Sequence, residues 1–151
     1  MFSVLRTYIK MKNKKKRFDK IVKDIKEIKI QGATNIAKSA LQAYFLIPLK
    51  SSKKKLISLR PTEPLLANVL GRKQSYKEIL KHFSYTSEKI NKSILKLIKS
   101  NDVVFTHCHS TSVVNGLIYS KKKKKKFEVY NTETRPLYQG RKTARELKKA
   151  G

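Results

Sequence analysis

Two short runs of β-branched and aromatic residues, separated by a stretch with helical spacing, constrain this chain more than anything else in it. Val103-Val104-Phe105-Thr106 follows the break at Asn101-Asp102 and reads as a buried strand. Val113 to Tyr119 reads as a helix, Phe127 to Thr132 as a second strand, and Thr143 to Lys149 as a second helix stopped by Gly151. Strand, helix, strand, helix with short connections is the opening of a parallel α/β unit. Two parallel strands do not make a stable sheet alone, so further strands are expected from additional residues or from a partner.

The residues before this unit read as helical. Met1 to Arg17 is expected to be a basic, disordered leader. Ile21, Ile25 and Ile28 then stand at i, i+4, i+7 in a helix from about Phe18 to Lys29. Gly32 breaks it, and Thr34 or Asn35 is placed to cap a second, heavily apolar helix, Ile36 to Leu46. Pro48 and Ser51 to Lys55 read as a loop. Pro64 suits the first turn of a short helix ending at Gly71, with Thr62 or Glu63 near its cap. Tyr76 to Phe83 gives a helical turn or two. Ser87 to Lys99 gives a longer helix burying Ile90, Ile94, Leu97 and Ile98. The expected organisation is therefore a leader (1–17), a helical domain (18–101) and the start of a Rossmann-like α/β domain (102–151).

The formal net charge of +27 suits nucleic acid, an anionic surface or phosphorylated ligands. Its make-up, 30 Lys against 7 Arg, points elsewhere, because sites that read phosphates and bases favour the planar fork of Arg. A solvated Lys-rich surface, with non-specific RNA adhesion at low salt, accounts for most of the excess. The single Cys excludes an internal disulfide framework. No apolar run is long enough to cross a membrane, and the N-terminus lacks the apolar core of a secretory signal, so no membrane association and a cytoplasmic location are expected.

Four stretches carry candidate chemistry. Thr106-His107-Cys108-His109-Ser110 lies where a parallel strand hands over to a helix, the position at which open α/β sheets bind ligands. The N–H groups of the following helix, with the hydroxyls of Ser110 and Thr111, suit a phosphate. Cys108 there could act as acid, base or nucleophile, or simply be a small buried residue with turn histidines beside it. A metal is not expected, because adjacent residues of an extended chain diverge and no fourth ligand is evident; no cofactor is called for. Gln31-Gly32-Ala33-Thr34-Asn35 is a second helix N-terminus, or a plain interhelical turn. Arg60, held extended before Pro61, could clamp a phosphate or pair with Glu63. Glu133-Thr134-Arg135-Pro136 lies at the end of the second strand.

Taken in order, IKIQGATNIAKSAL, LISLRPTEPLL, VVFTHCHSTSVV and FEVYNTETRPLYQGRKTARELKKAG resemble the N-terminal part of the translation initiation factor 2B α/β/δ regulatory-subunit family. That family is similar to ribose-1,5-bisphosphate isomerase and methylthioribose-1-phosphate isomerase. The resemblance covers about residues 18–151. It implies an N-terminal helical domain, a Rossmann-like domain and a ligand in the cleft between them. It implies proton transfer by Cys108, and contact with a phosphorylated small molecule, a sugar phosphate or nucleotide, through Gly32, Ala33, Arg60, His109, Ser110 and Thr111. Gln31 stands where the isomerases carry an Arg. The family's catalytic Asp and a Lys belong to the later part of the Rossmann-like domain, so this chain alone is not expected to isomerise anything. The resemblance thus implies an initiation factor 2B-like protein, oligomeric or completed by a C-terminal chain, with contact to initiation factor 2. The alternative is half of an aldose–ketose isomerase acting on a sugar 1-phosphate.

Overall fold

The computed structural model describes residues 2–151. The elements are α1 (Phe2–Lys26), α2 (Ala33–Leu46), α3 (Lys50–Ser58), α4 (Pro64–Gly71), α5 (Tyr76–Leu97), β1 (Asp102–His107), α6 (Thr111–Lys122), β2 (Phe127–Thr132) and α7 (Gln139–Lys149). The chain forms two compact units, Met1–Lys81 and His82–Gly151, which divide inside α5. The sequence reading divides the chain near residue 101 instead. A single unbroken helix accounts for the difference: the spacing separates Tyr76–Phe83 from Ser87–Lys99, whereas Ser84, Tyr85 and Thr86 carry the helix straight through.

The first unit is built around α2. Three of the five residues of its buried face, Ile36, Ala37, Ala40, Leu41 and Ala43, are alanine, so neighbouring helices approach closely. Against it stand α1, α3 and α4, which contribute Ile25, Leu56 and Leu66, all at most 1% exposed. Each such aliphatic side chain contributes about 1.5–3 kcal/mol by leaving water.

Residues 2–17, expected to be a disordered leader, are the first turns of α1. Lys, Arg, Met and Leu dominate this segment and are good helix formers, so like-charge repulsion on an exposed surface does not outweigh propensity and continuity with the packed turns. Residues 51–55, expected as a loop, lie in α3. Ser52 and Leu56, four residues apart, are its buried positions, a helical spacing masked by the lysine run. Neither Thr34 nor Asn35 caps α2. Gly32 is the N-cap, at φ 84°, without a side-chain cap bond. Of the four residues expected in the core here, Ile98 is buried, Ile90 and Ile94 are half-buried, and Leu97 is 76% exposed.

In the second unit β1 and β2 pair in parallel, with Val104 opposite Val129 and Phe105 opposite Tyr130. Alternation puts Phe127 and Val129 toward α6 and α7, where they line a small cavity together with Leu117, Ile118 and Leu147. The other face of the sheet presents Val103, Phe105 and Tyr130, each more than half exposed. Gly116 of α6 lies against Ile94 of α5, closer than any side chain would permit. Among the described residues no helix is long and apolar enough to cross a membrane.

Candidate functional site

The carboxyl end of β1 is the most densely tied polar region of the second unit. Cys108, the first residue past the strand, has φ 63°. That left-handed conformation is uncommon outside glycine and costs about 1–3 kcal/mol unless its surroundings hold it. Three hydrogen bonds do so. The Cys108 N–H donates to the Thr132 carbonyl at 3.3 Å, extending the parallel ladder by one step. The Cys108 carbonyl accepts from the Thr143 hydroxyl at 2.8 Å. The thiol donates to Gln139 Oε1 at 3.3 Å. Cys108 is thereby fixed by the end of β2 and the first turns of α7.

Thr143 also determines the state of His109. The His109 Nδ1 and Thr143 Oγ1 atoms are 2.9 Å apart. The hydroxyl has one proton and gives it to Cys108, so the proton between His109 and Thr143 belongs to the imidazole. His109 is therefore the Nδ1–H tautomer, with its lone pair on Nε2. Burial lowers its pKa below the usual histidine value, and the Lys142 charge adds to this against the opposing pull of Glu146. The ring is neutral at pH 7 and Nε2 is a hydrogen-bond acceptor and a base.

Ser110 is the N-cap of α6, its hydroxyl accepting from the Val113 N–H at 3.5 Å, and Thr111 is the first helical residue. The turn thus delivers a strand end, a thiol, an imidazole and a helix N-terminus in consecutive residues. Such an arrangement accepts an anionic oxygen at the helix N–H groups while a base and an acid lie alongside.

Glu133 has a structural task. Its Oε1 accepts from the Thr134 and Gly140 N–H groups, each at 2.8 Å, and Arg141 Nε lies 3.3 Å from Oε2. Burial alone would raise its pKa, but these N–H groups, that of Arg141 and the guanidinium charge outweigh it and lower it. The carboxylate caps α7 from the preceding loop, the favourable end of the helix for a negative charge. Asn131 Nδ2 donates to the Gly140 carbonyl at 2.9 Å, which closes the loop over Thr132.

The remaining candidates lie in the first unit. The positive φ of Gly32 is a conformation that side chains rarely adopt, and it starts α2, with Ala33 as first helical residue. Gln31 is tied locally: its Nε2 donates to the Ile28 carbonyl at 3.1 Å, and its own carbonyl accepts from Asn35 Nδ2 at 3.1 Å. The Gln31 amide thus secures the turn that follows α1. Arg60 precedes the turn into α4, and its Nε is buried without a hydrogen-bond partner. The suggested pairing with Glu63 is not among the ion pairs of the described residues. No group of His, Cys, Asp and Glu among the described residues could hold a metal ion.

Cys108, His109, Ser110 and Thr111 are brought together as adjacency requires; Gly32, Ala33 and Arg60 belong to the other unit. The sequence reading did not single out Gln139, Thr143 and Thr132. The first two carry a readable signal: in a helix otherwise dominated by charge, Gln139, Thr143 and Leu147 follow i, i+4, i+8.

A model of the Initiation factor 2 subunit family matches residues 3–151. The ribose 1,5-bisphosphate isomerase of Thermococcus kodakarensis is 30% identical over 87% of this chain and 52% of its own length. A Pyrococcus furiosus protein named as translation initiation factor eIF-2B subunit 2-like is 28% identical over 85% of this chain and 54% of its own. Among solved structures, the translation initiation factor eIF-2B of Pyrococcus horikoshii superposes with TM-score 0.74 at 22% identity, covering 89% of this chain and 57% of that one. The tetrameric eIF2B-beta2-delta2 complex from C. thermophilum gives 0.64 at 16% identity, covering 89% and 56%. The chain spans about half the length of the curated relatives it matches. The family model matches almost the whole chain, and that is decisive: the chain belongs to the Initiation factor 2 subunit family.

Proposed function

We propose that this chain is an initiation factor 2B-like protein that binds a phosphorylated small molecule through the turn Cys108–Thr111. The observation that carries this reading is the turn itself: a parallel strand ends, and the next helix opens at Ser110 with its N–H groups free of helical partners. In the first unit, Gly32, Ala33 and Arg60 offer the same kind of chemistry, backbone N–H groups at a helix start and a guanidinium whose buried Nε has no partner. The relatives named above include an enzyme whose name specifies a sugar bisphosphate. Because one structural neighbour is a tetrameric complex, we further propose that the chain works as part of an oligomer or with a completing chain.

The test is thermal denaturation of the chain with ribose 1-phosphate, AMP or inorganic phosphate, against ribose and adenosine. Ligand at a hundred times its Kd stabilises by about 2.7 kcal/mol. The phosphorylated compounds raise Tm and the others do not, and Ser110→Pro or Arg60→Ala reduces the rise. Equal behaviour of phosphorylated and unphosphorylated compounds overturns the reading.

A second reading, half of an aldose–ketose isomerase, is favoured by the pairing of a thiol at Cys108 with a neutral imidazole at His109. Moving a proton between adjacent carbons of a sugar needs an acid and a base of this kind. Ribose 1,5-bisphosphate is the substrate to offer: turnover that disappears in Cys108→Ala supports the enzyme, and turnover that survives it excludes this role for Cys108.

A further inference from the structure

The core-facing stripe of α1 outlasts the elements that cover it. Phe18, Val22 and Ile25 stand at i, i+4, i+7 and are buried. Met11, two turns before Phe18, continues the same stripe, and Tyr8 lies a turn beyond. Neither is covered: Met11 is 66% and Tyr8 63% exposed. The cause is length. Helix α1 has 25 residues and α2 has 14, so α1 overhangs by about 16 Å at the rise of an α-helix.

The overhang and the end of α2 enclose a groove of about 730 Å³, floored by Tyr8, Met11, Leu46 and Leu49. Lys12, Lys14 and Lys15 form its rim. The first acidic residue of the chain is Asp19, so nothing in the overhang neutralises these charges.

We propose that this groove docks an acidic amphipathic helix of another protein. Apolar side chains at i, i+3/i+4, i+7 enter the groove and flanking carboxylates meet the lysine rim. Charge selects this occupant over a second copy docked through the same groove, which would set Lys12, Lys14 and Lys15 of the two copies against each other. Concavity selects it over a bilayer, because an interfacial helix presents a convex apolar face to lipid. The lining selects it over RNA, which is held by stacking on several aromatic rings and by Arg, whereas Tyr8 is the one ring among the described lining residues and their charges are Lys.

The test uses the intact chain and a fluorescein-labelled peptide of about 20 residues, long enough to span the overhang, with Leu at i, i+3, i+4, i+7 and Glu elsewhere. Its controls are a scrambled peptide of the same composition, oligouridylate and phosphatidylglycerol vesicles. The amphipathic peptide is expected to bind about tenfold more tightly than the scrambled one, a difference of about 1.4 kcal/mol. Met11→Glu, and separately Tyr8→Ala, should each remove that preference. Both positions are exposed, and far-UV circular dichroism checks that the helices persist. Equal binding of the scrambled peptide, tighter binding of oligouridylate or vesicles, a preference that survives both substitutions, or no binding at all overturns the proposal.

Discussion

The Thr143 hydroxyl, on α7, donates to the carbonyl oxygen of Cys108, at the end of β1, over 2.8 Å. Thr143 is 1% exposed and Cys108 is half-buried, so the hydroxyl has no water as a substitute partner. Thr143 Oγ1 itself accepts from His109 Nδ1, and one hydroxyl therefore holds two consecutive residues of the turn.

Replacing that hydroxyl by a methyl leaves a part-buried carbonyl and a part-buried imidazole N–H without that partner. Thr143→Val should lower unfolding free energy by about 1–3 kcal/mol, the cost of stranding buried polar groups. Thr143→Ser keeps the hydroxyl and should lose much less. Urea denaturation of the three proteins checks this; equal losses for Val and Ser would mean that packing, not hydrogen bonding, is what Thr143 supplies.

His109 gives a pH dependence whose sign is fixed. Its pKa in the folded chain lies below the ordinary value of 6.5. As pH falls through 6.5, the unfolded chain takes up a proton that the folded chain refuses, so the unfolded state gains. The destabilisation grows until pH passes the folded pKa, and is absent above 6.5. His109→Gln should flatten stability across this window while leaving the neutral-pH value nearly unchanged. NMR titration of the ring should show protonation arriving at Nε2, since Nδ1 already carries its proton.

How far this was legible from sequence differs by element. The two strands of the second unit were read to within a residue at each end, because β-branched runs bounded by Asn-Asp and by lysines leave few alternatives for Val103–Thr106 and Phe127–Thr132. The N-terminal half was read less well for one physical reason. Lysine propensity for the helix is high but its pattern is silent, so α3 and the first turns of α1 looked like solvated loops. At the turn, Cys108 and Ser110 were visible because they are adjacent in sequence. Thr143 was not, since its contact with Cys108 joins residues 35 apart, and the i, i+4, i+8 spacing of Gln139, Thr143 and Leu147 marks an inward face without naming the partner of its hydroxyl. Gln31 was visible as a departure, but its bond to the Ile28 carbonyl depends on Ile28 adopting φ 59°, a conformation no propensity would assign to a β-branched residue.

Glu133 should make the second unit acid-sensitive. Its pKa is lowered overall by the N–H groups of Thr134, Gly140 and Arg141 and by the Arg141 charge, which outweigh the opposing effect of burial. The stability it contributes is present above its ordinary value of 4.5 and is lost as pH falls through the folded pKa. Glu133→Gln keeps the shape but donates where it should accept, and should lower Tm at pH 7 with little effect once the wild-type carboxyl is itself protonated. A pH series of melting curves for both proteins checks this; parallel curves at all pH values would deny the carboxylate its capping role.

Gly140 tests how tightly that loop is closed. A Cβ on Gly140 would lie 2.5 Å from the Thr132 carbonyl oxygen and 2.9 Å from the Glu133 Cα, both main-chain atoms. Backbone moves less readily than the tip of a side chain, so Gly140→Ala must displace α7 or the end of β2, at about 1–3 kcal/mol for overpacking. Helix propensity alone would favour alanine by about 1 kcal/mol, so the two effects oppose each other and the sign of the result decides between them. The displacement would also lengthen the Cys108 thiol bond to Gln139, the residue before Gly140. Destabilisation together with faster alkylation of Cys108 is therefore expected, measured by denaturation and by the rate of iodoacetamide labelling. A stabilised Gly140→Ala protein with unchanged labelling would mean that α7 does not press on the strand end as closely as the geometry requires.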